Sequence, residues 1–160
     1  MTAASTLQTK HPFVVGMDPS HVDILFHGAV VQEFAPGEII FREGAPADAF
    51  YLVEYGEVAL EAHSKARGPV PILTVGANEV LGWSWLFAPF AWHFDAHVLK
   101  PTRVIRCDGA HLLVASEEDH EFGHEILKRV AHLVIHRLQE TRRRLLQAEG
   151  RIAQLEGGGR

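Results

Sequence analysis

Between Val30 and Cys107 the chain is cut into short apolar runs, each closed by a turn bearing glycine or proline. Val30–Phe34 ends in Ala35-Pro36-Gly37, Ile39–Phe41 in Glu43-Gly44-Ala45-Pro46, and Phe50–Val53 in Tyr55-Gly56. Val58–Ala62 runs into a polar loop through Gly68, and Ile72–Val75 into Gly76. Ala96–Leu99 and Arg103–Cys107 follow, joined near Pro101. Such runs are too short for ordinary helices. Rich in β-branched and aromatic residues, with turn signals about every eight to twelve positions, they predict a β-sandwich or barrel.

Helices are expected on both sides of this region. Asp18 is placed to cap a short one, with Pro19 at its first position, where the missing N–H costs nothing. Asp108 caps another, and Ser116-Glu-Glu-Asp119 opens a long one with acids at the positive end of its dipole. Along that helix Leu127, Val130, Val134, Leu138, Thr141, Leu145, Ala148, Ile152 and Leu155 recur in threes and fours. This is a heptad-like seam with one stutter at 130–134–138. Pairing with a second copy, as a parallel dimer, is the economical way to bury it. The expected organisation is a polar tail over 1–17, the barrel with flanking helices over 18–116, a dimerisation helix over 117–156, and a glycine-rich tail over 157–160.

No apolar stretch reaches the roughly 18 residues that span a membrane. The first residues lack a basic segment followed by an apolar core, and Cys107 has no second cysteine to pair with. A cytoplasmic protein without membrane contact is expected. Charge is unevenly spread: residues 1–127 carry 7 Lys and Arg against 17 Asp and Glu, residues 128–160 carry 8 against 3. A solvated basic helix on an acidic domain accounts for this; a basic end that meets an acidic partner is the sharper reading.

All three tryptophans fall in one stretch, Leu81 to Ala96, LGWSWLFAPFAWHFDA. It is too polar for an ordinary strand and too aromatic for an ordinary loop.

The order of these features resembles the cyclic-nucleotide-binding domain of the Crp/Fnr regulator class. The run from Phe34 to Leu60, FAPGEIIFREGAPADAFYLVEYGEVAL, carries the markers: Gly37, Gly44 and Gly56, the acid Glu43, and the Tyr51–Val53 strand before the Gly56 turn. Leu73-Thr-Val-Gly76 and Leu81-Gly82 resemble the next glycine-bearing turns. The resemblance implies a mainly β fold with flanking helices: an eight-stranded double-sheet jelly-roll barrel followed by a long dimerising helix. It implies a regulatory protein rather than an enzyme, with no cofactor.

In that family a phosphate-binding cassette follows the Leu81-Gly82 position. Its glutamate holds the ribose hydroxyl, and an arginine with backbone N–H groups holds the cyclic phosphate. Here Gly82 and Ala96 occupy the glycine and closing-alanine positions, but Trp83 stands for the glutamate, and Phe94 and Asp95 for the arginine and the hydroxyl residue. Orthodox cAMP or cGMP binding is therefore not expected from the cassette, although the resemblance taken alone implies it. The candidate ligand-binding residues are Gly82, Trp83, Ser84, Trp85, Leu86, His93, Phe94, Asp95 and Ala96. Two readings stay open: the rings plug the old pocket as core, or they form an apolar pocket for another small molecule or support docking of a protein partner. His93 beside Asp95 could form a pH-sensitive pair. Thr141 resembles a purine-reading threonine of related activators, against its plainer role in the dimer seam.

Other motifs are weaker. His120-Glu121-Phe122-Gly123-His124 matches HExxH, which on a helix puts two imidazoles on one face for zinc. In a chain with 11 histidines such a match has little weight, and zinc hydrolysis is kept only as a remote alternative. His132 and His136 form a second such pair without obvious further ligands. Arg142, Arg143 and Arg144 point around the helix instead of forming a groove-reading face. The resemblance assigns DNA binding to a helix-turn-helix domain after the long helix, and none follows before Arg160, so DNA is not an expected partner. There is no GxSxG elbow, P-loop or cysteine-based metal motif.

Overall fold

The computed structural model describes residues 10–157. By compactness the chain divides into residues 1–126 and 127–160. The first unit is built on an antiparallel sheet of six strands: β1 Val30–Phe34, β2 Ile39–Phe41, β3 Ala49–Ser64, β4 Gly68–Gly76, β5 Val80–Leu81 and β6 Asp95–Asp108. Their order is β1-β6-β3-β4, with β2 also on β6 and β5 also on β3. Three helices complete the described chain: α1 Pro19–Phe26, α2 Gly109–Glu118 and α3 His120–Gly157.

The runs expected at 50–53 and 58–62 are two halves of β3, and those at 96–99 and 103–107 are two halves of β6. That is why six strands stand where eight were expected. The two halves of β3 share only β6 as a neighbour, and each holds a different part of it. The first half of β3 pairs with β5 and with the part of β6 that also holds β1, while the second half pairs with β4 and the start of β6. Between them the β3–β6 register shifts three times, from Val53 to Val58. Bulges of this kind bend a strand without ending it. Gly56 sits at the shift with φ 121°, and a Cβ there would run into Thr102. Thr102 is buried, accepts from Glu57 N–H at 3.2 Å and donates to the Lys100 carbonyl at 2.8 Å, so the misaligned backbone remains hydrogen-bonded.

Strand alternation divides the side chains. Ala49, Tyr51, Val53, Val58 and Leu60 of β3 join Ala96, Val98 and Val104 of β6 in one core, with Val75, Leu81 and Trp92. Each fully buried side chain of this size contributes about 1.5–3 kcal/mol relative to exposure. Phe50 and Leu52, the residues between, are buried on the other face, where Phe13 meets Phe50 edge-on at 5.0 Å.

The expected tail over 1–17 gives way before its end, because His11, Phe13, Val14 and Met17 are buried; residues 1–9 lie outside the described part. Pro12–Val14 form a 3-10 turn whose N-cap is His11, Nδ1 accepting from Phe13 N–H at 3.1 Å. With Nδ1 an acceptor, Nε2 carries the hydrogen and is shared between the Val53 and Glu79 carbonyls, each at 3.2 Å. Burial, partly offset by these two carbonyls, lowers the His11 pKa and favours this neutral form.

The caps at Asp18 and Asp108 form as expected, their carboxylates accepting from Ser20 and His111 N–H. The long helix starts at His120, after a break at Asp119, whose carboxylate caps it through Glu121 and Phe122 N–H. Among the described residues no helix is long and apolar enough to cross a membrane. Cys107 is buried, and burial pushes its thiol up to about 12, so it is not a reactive nucleophile.

Candidate functional site

The aromatic stretch leaves the sheet at Leu81, which pairs with Tyr51. Gly82 then turns the chain with φ 82°, and a Cβ there would sit 2.5 Å from the Trp92 ring. Glycine is needed for both reasons, the backbone sign and the close approach. Ser84–Leu86 form a 3-10 turn, closed by Leu86 N–H on the Trp83 carbonyl at 3.1 Å. The chain returns along the segment 44–47. Gly44 donates to the Trp92 carbonyl at 2.8 Å, Trp92 to that of Ala45 at 3.0 Å, and Ala47 to that of Phe90 at 2.7 Å. Trp92 thereby lies flat on Phe41, centroids 3.9 Å apart and planes at 12°.

These elements enclose a pocket of about 180 Å³, lined by Phe41, Leu60, Gly82, Trp83, Ser84, Trp92, His93 and Phe94. Five candidate residues come together here: Gly82, Trp83, Ser84, His93 and Phe94. The lining is mostly ring and aliphatic surface. Its polar side chains meet each other, Ser84 Oγ lying 3.2 Å from His93 Nδ1. Ser84 is buried and His93 exposed, so the pair reaches from the wall to the rim.

Asp95 is elsewhere. Ala96, its neighbour on β6, is buried in the core, and the aspartate faces away from it, as strand parity requires. Its carboxylate, 4% exposed, accepts from Glu43 N–H at 2.7 Å and from His63 Nε2 at 2.7 Å, with Arg42 at 3.9 Å. Burial alone would raise its pKa; the Glu43 N–H, His63 and Arg42 together outweigh that and hold it below the usual carboxylate value. The His93–Asp95 pair that the sequence left open does not form. His93 turns to Ser84, and the imidazole on Asp95 comes from His63 on β3.

The remaining candidates are dispersed. Trp85 is 1% exposed and tilts against Phe50 at 5.8 Å on the opposite face of β3, its Nε1 without a hydrogen-bond partner among the described residues. Leu86 is half-buried and Ala96 fully buried; neither lines the pocket. Thr141 lies in the second unit, where its hydroxyl donates to the Arg137 carbonyl one turn back. Of the seam residues, Leu127, Val134, Leu138, Thr141 and Leu145 are exposed and Val130 is buried. His120, Glu121 and His124 are exposed, and no group of three or more metal-ligating side chains occurs among the described residues.

Sequence reasoning missed Phe41 and Leu60 as lining, and His63 and Arg42 as the partners of Asp95. The alternation of Asp95 and Ala96 on a strand was the available signal for Asp95.

The comparisons with known proteins agree with this fold. A protein from Geobacter metallireducens GS-15 named for cyclic-nucleotide binding shares 27% identity, over 86% of this chain and 99% of that one, with a TM-score of 0.75. A cyclic nucleotide-binding domain from Methylobacillus flagellatus KT matches at 20% identity, 89% and 80% coverage and TM-score 0.74. The sensor domain of the transcriptional regulator DNR from Pseudomonas aeruginosa matches at 16%, 86% and 92% coverage and TM-score 0.67. No curated protein matches the sequence. The family model for the cyclic nucleotide-binding domain matches residues 31–119, from β1 to the end of α2, and takes in the pocket and its aromatic stretch. This chain belongs to the cyclic nucleotide-binding domain family.

Proposed function

We propose that this chain is a non-catalytic, cytoplasmic regulatory module whose ligand site no longer takes a cyclic phosphate and is open to a different small molecule. In this reading α3 pairs two copies and passes the state of the pocket to a protein partner, which requires a ligand that distinguishes two helix arrangements. We read each half of β3 and β6 as a strand of an eight-stranded, two-sheet jelly-roll barrel, a reading supported by the three register shifts between the halves of β3.

One observation carries the reading. Trp83 stands in the glutamate position and Phe94 in the arginine position, and both side chains line the pocket. A phosphate entering it would forgo a charge-assisted bond of about 1.5–3 kcal/mol, a loss of roughly ten- to hundredfold in affinity. Asp95 adds no repulsion there, since its charge is spent on His63, Arg42 and Glu43 N–H. Size argues the same way: drug-sized ligands occupy sites of about 300–1,000 Å³, and this pocket measures about 180 Å³.

Calorimetric titration of the purified protein with cAMP and cGMP, to millimolar ligand, tests this. The expected result is no heat and no thermal stabilisation. Micromolar binding of either would restore the orthodox receptor, with Ser84, His93 and backbone N–H groups holding the phosphate.

A further inference from the structure

A pocket of about 180 Å³ is slightly larger than a cavity of about 150 Å³ that admits benzene. It therefore has room for one aromatic ring with a small substituent, and not for a ring system joined to a sugar. The walls suit a ring: Trp92, Trp83, Phe41 and Phe94 offer aromatic surface, and rings gain about 0.5–1.5 kcal/mol from such contacts beyond area burial.

The substituent is selected by the Ser84–His93 pair. If Ser84 donates to Nδ1, His93 is left with an Nε2–H to donate; if Nδ1 donates to Oγ, the Ser84 hydroxyl hydrogen is left instead. Either tautomer leaves one donor, and protonation of the imidazole leaves two and a positive charge. No carboxylate is among the lining residues, and Asp95, next in sequence to the lining Phe94, is turned to His63 and Arg42. An acceptor oxygen meets a donor there, an anion meets no repulsion, and a cation meets an imidazole without any acid to balance its charge.

We infer that the pocket binds a single-ring aromatic carboxylate, its ring against Trp83 and Phe94 and its carboxylate on the Ser84–His93 pair. This rests on the reading above that the cassette has left cyclic nucleotides.

The test uses 4-fluorobenzoate and fluorobenzene followed by fluorine NMR on the full chain, with tetramethylammonium and cAMP titrated by calorimetry. The expected result is saturable broadening of the 4-fluorobenzoate signal with a dissociation constant of about 0.1–1 mM, in range for so few atoms. Fluorobenzene binds about tenfold or more weakly. His93→Ala, at an exposed position that leaves the fold intact, removes this advantage while fluorobenzene still binds, and His93→Gln restores part of it. Equal binding of the two fluoroarenes, or binding of tetramethylammonium in place of the acid, would overturn the carboxylate inference and leave the non-nucleotide reading in place. Micromolar cAMP binding would overturn both. If no probe binds, the inference fails, and the rings are packing that serves a docking module.

Discussion

Replacing Gly82 by alanine is the sharpest perturbation of the site, because it strains the backbone and intrudes on the Trp92 ring at once. Alanine in the left-handed region costs about 1–2 kcal/mol. The added Cβ would lie 2.5 Å and 2.7 Å from two ring carbons of Trp92, where carbon pairs prefer about 3.5–4.0 Å. The ring must retreat by about 1 Å to reach that distance. It has little freedom to do so, with Phe41 stacked at 3.9 Å and the Trp92 backbone hydrogen-bonded at both its N–H and its carbonyl. Overpacking of a filled core costs about 1–3 kcal/mol, which brings the total to about 2–5 kcal/mol. Gly37→Ala is the matched control: its φ is 93° and nothing lies within 4 Å of the added atom, so it bears only the backbone cost. Urea and thermal unfolding of both variants at one protein concentration isolate the ring contact. Gly82→Ala is expected to melt roughly 3–10 °C below Gly37→Ala, and its near-ultraviolet tryptophan dichroism to weaken. Coincident unfolding of the two variants with unchanged dichroism would refute the reasoning and mean that Trp92 does not seal the Gly82 turn.

Other consequences follow from individual residues. Asp95→Ala leaves the Glu43 N–H and His63 without their acceptor and is expected to cost about 1–3 kcal/mol in urea unfolding. Because the folded pKa of Asp95 lies below the ordinary 3.8, its contribution is complete above that value and is lost as pH falls further; Asp95→Ala should flatten this acid limb of the stability curve, and an unchanged limb would assign it to other groups. Trp85→Phe removes a buried Nε1–H that has no partner among the described residues, which offsets the lost volume; stability within about 1 kcal/mol of the parent is expected despite full burial, and a loss above about 3 kcal/mol would mean that the N–H is satisfied. Leu138 is 67% exposed on α3, so Leu138→Glu should leave the first unit folded yet reduce the sedimenting mass from dimer to monomer; a parent protein that sediments as a monomer at tens of micromolar would remove the basis for pairing through the seam.

Much of the fold was legible because its determinants are local. Asp18-Pro19 and Asp108 announce helix starts through their own side chains, and the punctuated runs of residues 30–107 fall on strands. The fusion of these runs into β3 and β6 was not legible. Gly56 reads as a turn in sequence, whereas in the fold it lies within a strand and close against Thr102 of β6, far along the chain. The site divides in the same way. Gly82, Trp83, Ser84, His93 and Phe94 are close in sequence and were found, while Phe41 and Leu60 reach the pocket from other strands. Adjacency misled once, at His93 and Asp95: His93 lies in the bend before β6 and turns to Ser84, while the partner of Asp95, His63, lies 32 residues upstream on β3.

The hydrogen bonds between 44–47 and 90–92 have a consequence for how freely this surface can vary. Every donor in that seam is a main-chain N–H, of Gly44, Ala47 or Trp92, and the one proline, Pro46, stands where the bridge to Ala91 asks for no donor. Nineteen side chains supply the same amide and only proline withholds it. At Ala47 the seam's hydrogen bonding therefore excludes proline alone, whereas Gly44, with φ 85°, is held to glycine by its backbone as well.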